Sequence, residues 1–306
     1  MQVWKSLGII FNLKNLKLSW AKSHAMLPTV YKIKKNKIRI FFGSRNLNNV
    51  SSVGYVDLEY KNRVFKVIKY SKKPVLKPGL LGCFDDNGVL ASCIIKKKKY
   101  YYLFYIGWRP SVTTRYSLIA GLSKSQSLGN FSRVSKSPIL STNNKEPYQI
   151  LTAPHVIKYK KKYLMWYVSC NKWKNKDFPI YDIKFASSND LINWNQTGIV
   201  SIKLKKKERA VARPYVIFEN KKFKMWYSYE KGVRGYKIGY AESFNGINWK
   251  RKDKEIKFIN KSSEESLMQE YPNIVKINNE KFMFYNGNNY GEAGIFCARL
   301  EKKKNS

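Results

Sequence analysis

Acidic residues are scarce in this chain, and several of them stand close to the start of similar apolar segments. The 306 residues include 20 Asp and Glu against 59 Lys and Arg, which gives a formal net charge of +39. Asp85 and Asp86 occur in "GCFDDNGV", Glu208 in "ERAVARPYV" and Glu270 in "LMQEYPNIV". Carboxyl groups that converge on one site can donate and accept protons in general acid–base catalysis. We therefore ask which structural elements bring them together.

Other polar side chains occupy equivalent places near the segment starts. His24 lies in "SHAMLPT" and His155 in "ILTAPHV", while Arg209, Arg213 and Tyr271 accompany the carboxylates of the later segments. The two histidines could bind a ligand or could be hydrogen-bonded core residues. Arg213 would favour the charged form of a neighbouring carboxylate, because an opposite charge lowers a carboxyl pKa.

A repeat of about 60 residues supplies the elements that position these groups. Aromatic strand-like runs end their cores at Tyr105, Tyr167, Tyr227 and Tyr285, and a degenerate earlier run places Phe42 at a similar interval upstream. Four of the five runs follow a Pro, a short apolar strand and a Lys/Asn-rich turn, the pattern of a β-hairpin. In the later copies a third strand follows, and two copies add an Asn-Gly or Asn-Asp turn and a fourth strand.

This pattern predicts an all-β fold, a five-bladed β-propeller of four-stranded antiparallel blades, as a single domain of residues 1–306. The last copy lacks a fourth strand, so we expect the N-terminal strand (3–11) to complete it and to remove an exposed edge. The first strand of each blade lines a central funnel, which would gather the polar residues above at one mouth. The predicted blades are approximately 24–76, 83–136, 150–197, 209–252 and 269–301.

Composition limits the possible partners. Four cysteines without metal-ligand spacing and only two histidines predict no metal site and no cofactor. No apolar run is long enough for a membrane span and no signal peptide is visible, which favours a cytoplasmic protein. The lysines concentrate in the first hairpin turn of each repeat. They either reflect compositional bias or form a positive ring that docks on an anionic membrane or polymer. Nucleic acid is an unlikely partner, and the oligomeric state stays open.

The chain resembles the five-bladed β-propeller glycosidases, which include the arabinanase/xylosidase, invertase/levansucrase and mannoside phosphorylase groups. It is most similar to uncharacterised glycosidase-like propellers among bacterial surface-glycan proteins. The phrases "SHAMLP", "FDDNGV", "LFYIGW", "MWYVS", "ARPYV", "EYPNIV" and "YNGNNYG" carry the resemblance, which runs from about Trp4 to Leu300. It implies a glycan substrate and carboxylate chemistry in the central funnel.

Glycoside hydrolysis uses one protonated and one ionised carboxyl group. By this resemblance, Glu270 is the expected proton donor, Asp86 the ionised base or nucleophile, and Glu208 an alternate acid or an acceptor for a substrate hydroxyl. The first repeat has His24 and Leu27-Pro28 where related enzymes place a base aspartate, which argues against ordinary inverting hydrolysis. A non-catalytic glycan-binding or polysaccharide-biosynthesis accessory protein, and a glycoside phosphorylase or transferase, therefore stay open as alternatives.

The remaining candidates are expected to contact the substrate. Aromatic side chains can stack on sugar faces, while arginine, histidine and amide groups hydrogen-bond sugar hydroxyls or an anionic group. The predicted substrate-binding residues are His24, Arg45, Asp85, Trp108, His155, Arg209, Arg213, Tyr271 and Asn286.

Overall fold

The computed structural model describes residues 1–231 and 235–301, and these form an almost entirely β structure. Val, Ile, Tyr, Phe and Trp dominate the buried positions of the strands, as expected for residues that pack well on a pleated surface. The predicted all-β fold is confirmed. The described helical elements are short: two 3₁₀ turns (Asp253–Glu255 and Ser263–Glu265) and one helical turn, α1 (Asn288–Gly291).

The first four groups of strands are antiparallel and follow one another along the chain. In each group, consecutive strands pair with their sequence neighbours. The groups are β2 (Ser23–Lys32), β3 (Lys37–Arg45), β4 (Ser51–Lys61) and β5 (Val64–Tyr70); β6 (Gly88–Lys97), β7 (Tyr100–Pro110), β8 (Tyr116–Ser125) and β9 (Ser132–Arg133); β10 (Ile150–Tyr159), β11 (Lys162–Trp173), β12 (Pro179–Ser188) and β13 (Asn195–Ile202); and β14 (Glu208–Glu219), β15 (Lys222–Lys231), β16 (Tyr236–Ser243) and β17 (Lys250–Arg251).

The last group joins the two ends of the chain. It contains β19 (Glu270–Ile277), β20 (Glu280–Asn286) and β21 (Ile295–Leu300), and β1 (Gln2–Phe11) pairs antiparallel with β21, as predicted. A further strand, β18 (Ile256–Ile259), pairs parallel with the outer side of β1. This group therefore has five strands, whereas four were predicted.

The first strands of the groups, β2, β6, β10, β14 and β19, contact one another in a closed cycle. Single parallel contacts such as Ser51 with Gly88 and Tyr181 with Ala210 connect successive groups. The hydrophobic clusters fill the spaces between neighbouring groups, and Trp4, Trp166 and Tyr240 are among their largest fully buried side chains. We call the end at which the first strands begin the mouth, and the opposite end the far end.

Four first strands share a bulge near the mouth. Leu27, Ala153, Arg213 and Tyr271 each have a positive φ and each precedes a proline, and the strand register shifts at the same place. A positive φ is strained for residues other than glycine, so the surrounding sheet must hold it. The bulge re-aims the side chains at the point where the groups converge.

A second repeated feature is a tyrosine bonded to a buried carboxylate. The central tyrosine of the second strand donates its hydroxyl hydrogen to an acid in four groups. The first group instead has Phe42, which packs against Phe11 and Trp20. Because a buried carboxylate needs hydrogen-bond donors, these pairs are structural elements of the groups. The pairs are Tyr105 with Asp85 (2.9 Å), Tyr167 with Glu146 (2.7 Å), Tyr227 with Asp253 (2.5 Å), and Tyr285 with Glu265.

Two parts of the predicted domain lie outside the described residues. They are residues 232–234, within the predicted blade 209–252, and residues 302–306, at the end of the predicted domain 1–306. The single-domain assignment and its blade boundaries stay predictions.

Candidate functional site

A buried carboxyl group lies where the last group begins at the mouth. Glu270 is the first residue of β19 and its side chain is fully buried. Neither carboxylate oxygen has a hydrogen-bond partner within residues 1–231 and 235–301. Burial raises the pKa of Glu270 well above its ordinary value, and the neighbouring Tyr271 opposes this only in part. Glu270 therefore keeps its proton to higher pH than a solvated carboxyl and can act as a proton donor.

An arginine–glutamate pair accompanies this acid. Arg209, at the start of β14, forms an ion pair with Glu230, near the end of β15. The negative charge of Glu230 also acts on Glu270 and adds to the rise in its pKa. Arg209 Nη1 donates to the carbonyl oxygen of Pro179 at 3.4 Å, and its guanidinium lies 5.8 Å from the ring centroid of Phe178. The remaining N–H groups of Arg209 are suited to an anionic ligand.

Tyrosines complete the surroundings of Glu270. The hydroxyls of Tyr181 and Tyr236 share a short hydrogen bond, and the ring centroids of Tyr236 and Tyr271 are 6.1 Å apart. Burial raises the pKa of Tyr271 and Tyr290, so both phenols stay neutral hydrogen-bond donors. We call this set the tyrosine-lined site: Tyr181, Arg209, Glu230, Tyr236, Glu270, Tyr271 and Tyr290.

The arrangement combines a proton donor, a cation and flat aromatic surfaces. Aromatic rings stack on the apolar faces of sugars, and phenols and guanidinium groups bond their hydroxyls. A neutral carboxylic acid in such a place can protonate a leaving oxygen. The chemistry that this site suits is therefore cleavage of a bond to a polar, ring-shaped substrate.

Two of the predicted acids are held by arginines elsewhere. Asp85 is fully buried, accepts from Tyr105 and forms an ion pair with Arg133 at 2.7 Å. Glu208 accepts from Arg251 Nη1 at 2.7 Å and Nη2 at 2.9 Å, and its side chain is nearly buried. Both carboxylates hold neighbouring strands together. The predicted roles of Asp85 in substrate binding and of Glu208 as a catalytic acid stay predictions, and these structural contacts argue against them.

Asp86 stands in the turn that leads into β6. Its Oδ2 accepts a hydrogen bond from the backbone N–H of Gly82 at 2.9 Å, and its side chain is half-buried. This contact is typical of a turn-forming aspartate. The role of Asp86 as an ionised base stays a prediction.

His24, Arg45 and Trp108 lie at the mouth ends of their strands. His24 is the second residue of β2, and Arg45 ends the paired strand β3. Burial and the charge of Arg45 lower the pKa of His24, so its imidazole tends to be neutral. Trp108, near the end of β7, is half-buried. Their predicted contacts with substrate stay predictions.

His155 faces away from the mouth. Its Nε2 lies 2.9 Å from the carbonyl oxygen of Val216, and its ring packs on Tyr215 with centroids 4.6 Å apart. It lines a far-end cavity of about 350 Å³ together with Thr29 and Asn273. Burial lowers the pKa of His155 to about 3, so it is neutral. The predicted contact of His155 with substrate stays a prediction, and its position beyond the proline bulge argues against a place at the mouth.

Arg213 crosses the centre of the molecule instead of lining the mouth. Its side chain is buried and donates to the carbonyl oxygen and hydroxyl of Ser92 in the second group, and to the hydroxyl of Thr29 in the first. It forms no ion pair within the described ranges. The predicted role of Arg213 beside a catalytic carboxylate stays a prediction that these contacts do not support. Arg213 joins the first strands of the first, second and fourth groups.

Asn286 is fully occupied by backbone contacts. Its Oδ1 accepts from the N–H of Leu27 at 2.8 Å, and its Nδ2 donates to the carbonyl oxygens of Ala25 and Gly294. The amide thus joins the last group to the first. The predicted contact of Asn286 with substrate stays a prediction that these backbone contacts do not support, whereas Arg209 and Tyr271 do lie beside Glu270.

Sequence reasoning missed Glu230, Tyr181, Tyr236 and Tyr290. Glu230 ends the phrase "MWYSYE" and Tyr290 lies in "YNGNNYG", so both stand where a second strand reaches the mouth. An inspection of second-strand ends, in addition to first-strand starts, could have found them.

Residues 1–231 and 235–301 contain no cluster of three or more His, Cys, Asp or Glu side chains that could hold a metal ion. No helix in these ranges has the length and apolar character needed to cross a bilayer.

Residues 200–302 match the family model described as beta-1,4-mannooligosaccharide phosphorylase. This segment contains Arg209, Glu230 and Glu270 of the tyrosine-lined site. A beta-1,2-mannobiose phosphorylase of a Thermoanaerobacter species is 36% identical over 93 residues, which are 26% of this chain and 30% of that enzyme.

Two other comparisons span nearly the whole chain. The uncharacterized protein Rv1502 of Mycobacterium tuberculosis is 33% identical over 304 residues, covering 97% of this chain and 99% of that protein. A solved structure named as a glycoside hydrolase shares the fold with a TM-score of 0.71 at 15% identity, covering 98% of this chain and 92% of that chain. The chain therefore belongs to the same family as the mycobacterial protein Rv1502.

Proposed function

We propose that the protein is a carbohydrate-active enzyme that cleaves a glycosidic bond at the tyrosine-lined site. The observation that carries this proposal is Glu270, a fully buried carboxyl group without a hydrogen-bond partner in the described part of the chain. Its raised pKa suits a general acid that gives a proton to the leaving oxygen. The family match over residues 200–302 supports a glycoside as the substrate.

The pairing of the other acids favours phosphate as the attacking group. Hydrolysis uses a second carboxylate to activate water or to attack the sugar. Glu208 is held by Arg251 and Glu230 by Arg209, so neither is free for that task, and we assign Asp86, which accepts from the N–H of Gly82, to the turn before β6. Phosphate brings its own nucleophilic oxygen and needs only cationic groups to hold it. Arg209, with N–H groups to spare, is the residue we assign to that role.

The bond changes of this reaction balance without any other co-reactant. A phosphate oxygen attacks the anomeric carbon, the bond from that carbon to the glycosidic oxygen breaks, and the leaving oxygen takes the proton of Glu270. The products are a sugar phosphate and a shortened glycan. The carboxylate regains its proton from water before the next turnover.

We infer that the five groups of strands are five blades around one axis. The closed cycle of contacts among β2, β6, β10, β14 and β19 supports this arrangement. It also gives the reason why Arg209 of the fourth group and Glu270 of the last lie together at the mouth.

The test is a set of mannosides incubated with and without inorganic phosphate, with sugar phosphate and reducing sugar both measured. We expect sugar phosphate to form only when phosphate is present. Glu270→Gln should lower kcat by about 10²–10⁴-fold, the usual contribution of a general acid. Asp86→Asn is the matched control and should leave phosphorolysis within about two-fold of the wild type.

Three results would change the assignment. Release of reducing sugar by the wild type without any sugar phosphate, together with loss of this activity in the Asp86→Asn variant, would restore hydrolysis with Asp86 as base. Full activity in Glu270→Gln would refute the proposed proton donor. Glycan binding without turnover in the wild type would support the alternative of a non-catalytic glycan-binding protein.

A further inference from the structure

Three loops beside the tyrosine-lined site expose large apolar side chains to solvent. Leu81 is 99% exposed, Leu80 is 64% exposed, Val112 is 90% exposed and Phe178 is 49% exposed. These residues lie in segments 80–82, 109–115 and 174–178, which we call the apolar arc. Each segment precedes a first strand or follows a second strand, so all three lie on the mouth side.

Direct contacts make the apolar arc continuous. Arg109 Nη1 donates to the carbonyl oxygen of Gly82 at 3.4 Å, which connects the first two segments. The N–H of Arg115 donates to the carbonyl oxygen of Lys176 at 2.9 Å, which connects the second and the third. Isolated exposed leucines are common, but adjacent loops that all carry them form a patch that marks an interaction surface.

The same surface is strongly cationic. Arg109, Arg115, Lys174 and Lys176 are all exposed and lie within the apolar arc, where Asp177 is the one acid. Arg115 lies 4.0 Å from Asp177, at the limit of an ion pair, and the remaining cations have no acidic partner within the described ranges. Exposed aliphatic and aromatic tips between Lys and Arg are suited to the boundary between lipid headgroups and acyl chains.

We propose that the apolar arc docks the mouth of this protein on an anionic lipid bilayer. Leu80, Leu81, Val112 and Phe178 enter the acyl boundary while the cations contact the headgroups. Phe178 lies under the guanidinium of Arg209, so the docked surface adjoins the tyrosine-lined site. The docking inference rests on the proposed function in one respect: the substrate would then be a glycan carried by a membrane lipid.

The far end lacks this combination of features. Its lysine-rich turns offer charge, and the sequence alone suggested them as the docking surface. The far end also exposes apolar residues, but they are spread over turns and strand ends of three groups: Ile33, Val64, Ile192, Phe218 and Phe244. Charge alone gives weak, salt-sensitive binding, whereas inserted apolar side chains add a contribution that salt does not screen.

The experiment is co-sedimentation of the full chain with vesicles of equal parts phosphatidylglycerol and phosphatidylcholine, and with vesicles of phosphatidylcholine alone. We expect binding to the anionic vesicles. The double variant Leu81→Asp/Val112→Asp should weaken it roughly ten-fold or more, because two apolar side chains leave the membrane. The matched control Ile33→Asp/Phe244→Asp makes the same charge change at the far end and should bind within about two-fold of the wild type.

Three outcomes would overturn the inference: the wild type binds neither kind of vesicle, both double variants weaken binding equally, or the wild type self-associates and only the mouth variant abolishes this. Activity on a soluble glycoside separates this inference from the proposed function. The Leu81→Asp/Val112→Asp variant should retain that activity. If the wild type cleaves the soluble glycoside but does not bind vesicles, only the docking proposal is refuted.

Discussion

The Glu270→Gln variant should become more stable than the wild type as the pH rises, although its kcat should fall by about 10²–10⁴-fold. The Glu270 side chain is fully buried, and burial raises its pKa well above the ordinary value of 4.5. Between these two values the unfolded chain has lost the proton and the folded chain keeps it, so the stability of the wild type falls with increasing pH. One proton corresponds to about 1.4 kcal/mol per pH unit, which is the slope of this loss within that interval.

The assay is urea unfolding of both proteins at several values from about pH 4 to about pH 8. The difference in unfolding free energy should be small at the acid end and should then grow in favour of Glu270→Gln. Glu208→Gln is the matched control, since it removes a buried carboxylate that Arg251 binds. It should destabilise the protein by about 1.5–3 kcal/mol, because Arg251 loses its hydrogen bonds to Glu208 and keeps only Asp253 as an anionic partner. Parallel stability curves for the wild type and Glu270→Gln would refute the assignment of a buried, protonated acid.

Three further predictions concern the framework. Tyr167→Phe should lower the unfolding free energy by about 1.5–3 kcal/mol in urea titrations, because the buried Glu146 loses a hydrogen bond. Trp4→Ala should lower it by about 3–5 kcal/mol, since it empties a fully buried position in the strand that joins the chain ends. Alkylation followed by mass spectrometry should modify half-buried Cys83 first, whereas burial raises the pKa of Cys93 to about 11 and should protect it until unfolding.

A control variant and two contrary results test these framework predictions. Phe42→Tyr adds a hydroxyl to an apolar cluster at the place where other groups have a tyrosine, and it should destabilise the protein. A stable Phe42→Tyr variant, or a Tyr167→Phe variant within about 0.5 kcal/mol of the wild type, would contradict the structural role of the tyrosine–carboxylate pairs. Equal labelling of Cys83 and Cys93 in the native protein would contradict the burial argument.

The strand groups could be predicted because each repeat has a similar pattern of apolar strands and polar turns. The pairing of the N-terminal strand, Gln2–Phe11, with the last group could be predicted because that group would otherwise expose an unpaired strand edge. Ile256–Ile259 was missed because four residues after a charged run give no periodicity and no turn signal. Its strand form depends on the neighbouring edge of β1, which is a tertiary effect.

The acids show where sequence reasoning fails. Asp85, Glu208 and Glu270 stand at similar places before or at the start of a first strand, yet only Glu270 is without a cationic partner among the described residues. The partners of the other two, Arg133 and Arg251, lie 48 and 43 residues further along the chain. Residue type and local position do not reveal such long-range pairing, and the pairing decides whether a carboxylate is structural or available for chemistry.

The buried Arg213 guanidinium reaches from the fourth group to Ser92 of the second and Thr29 of the first. If substrate enters the proposed site between the mouth loops, this side chain leaves it no second exit through the centre. Departure of the products through the mouth can then limit the rate of the whole cycle.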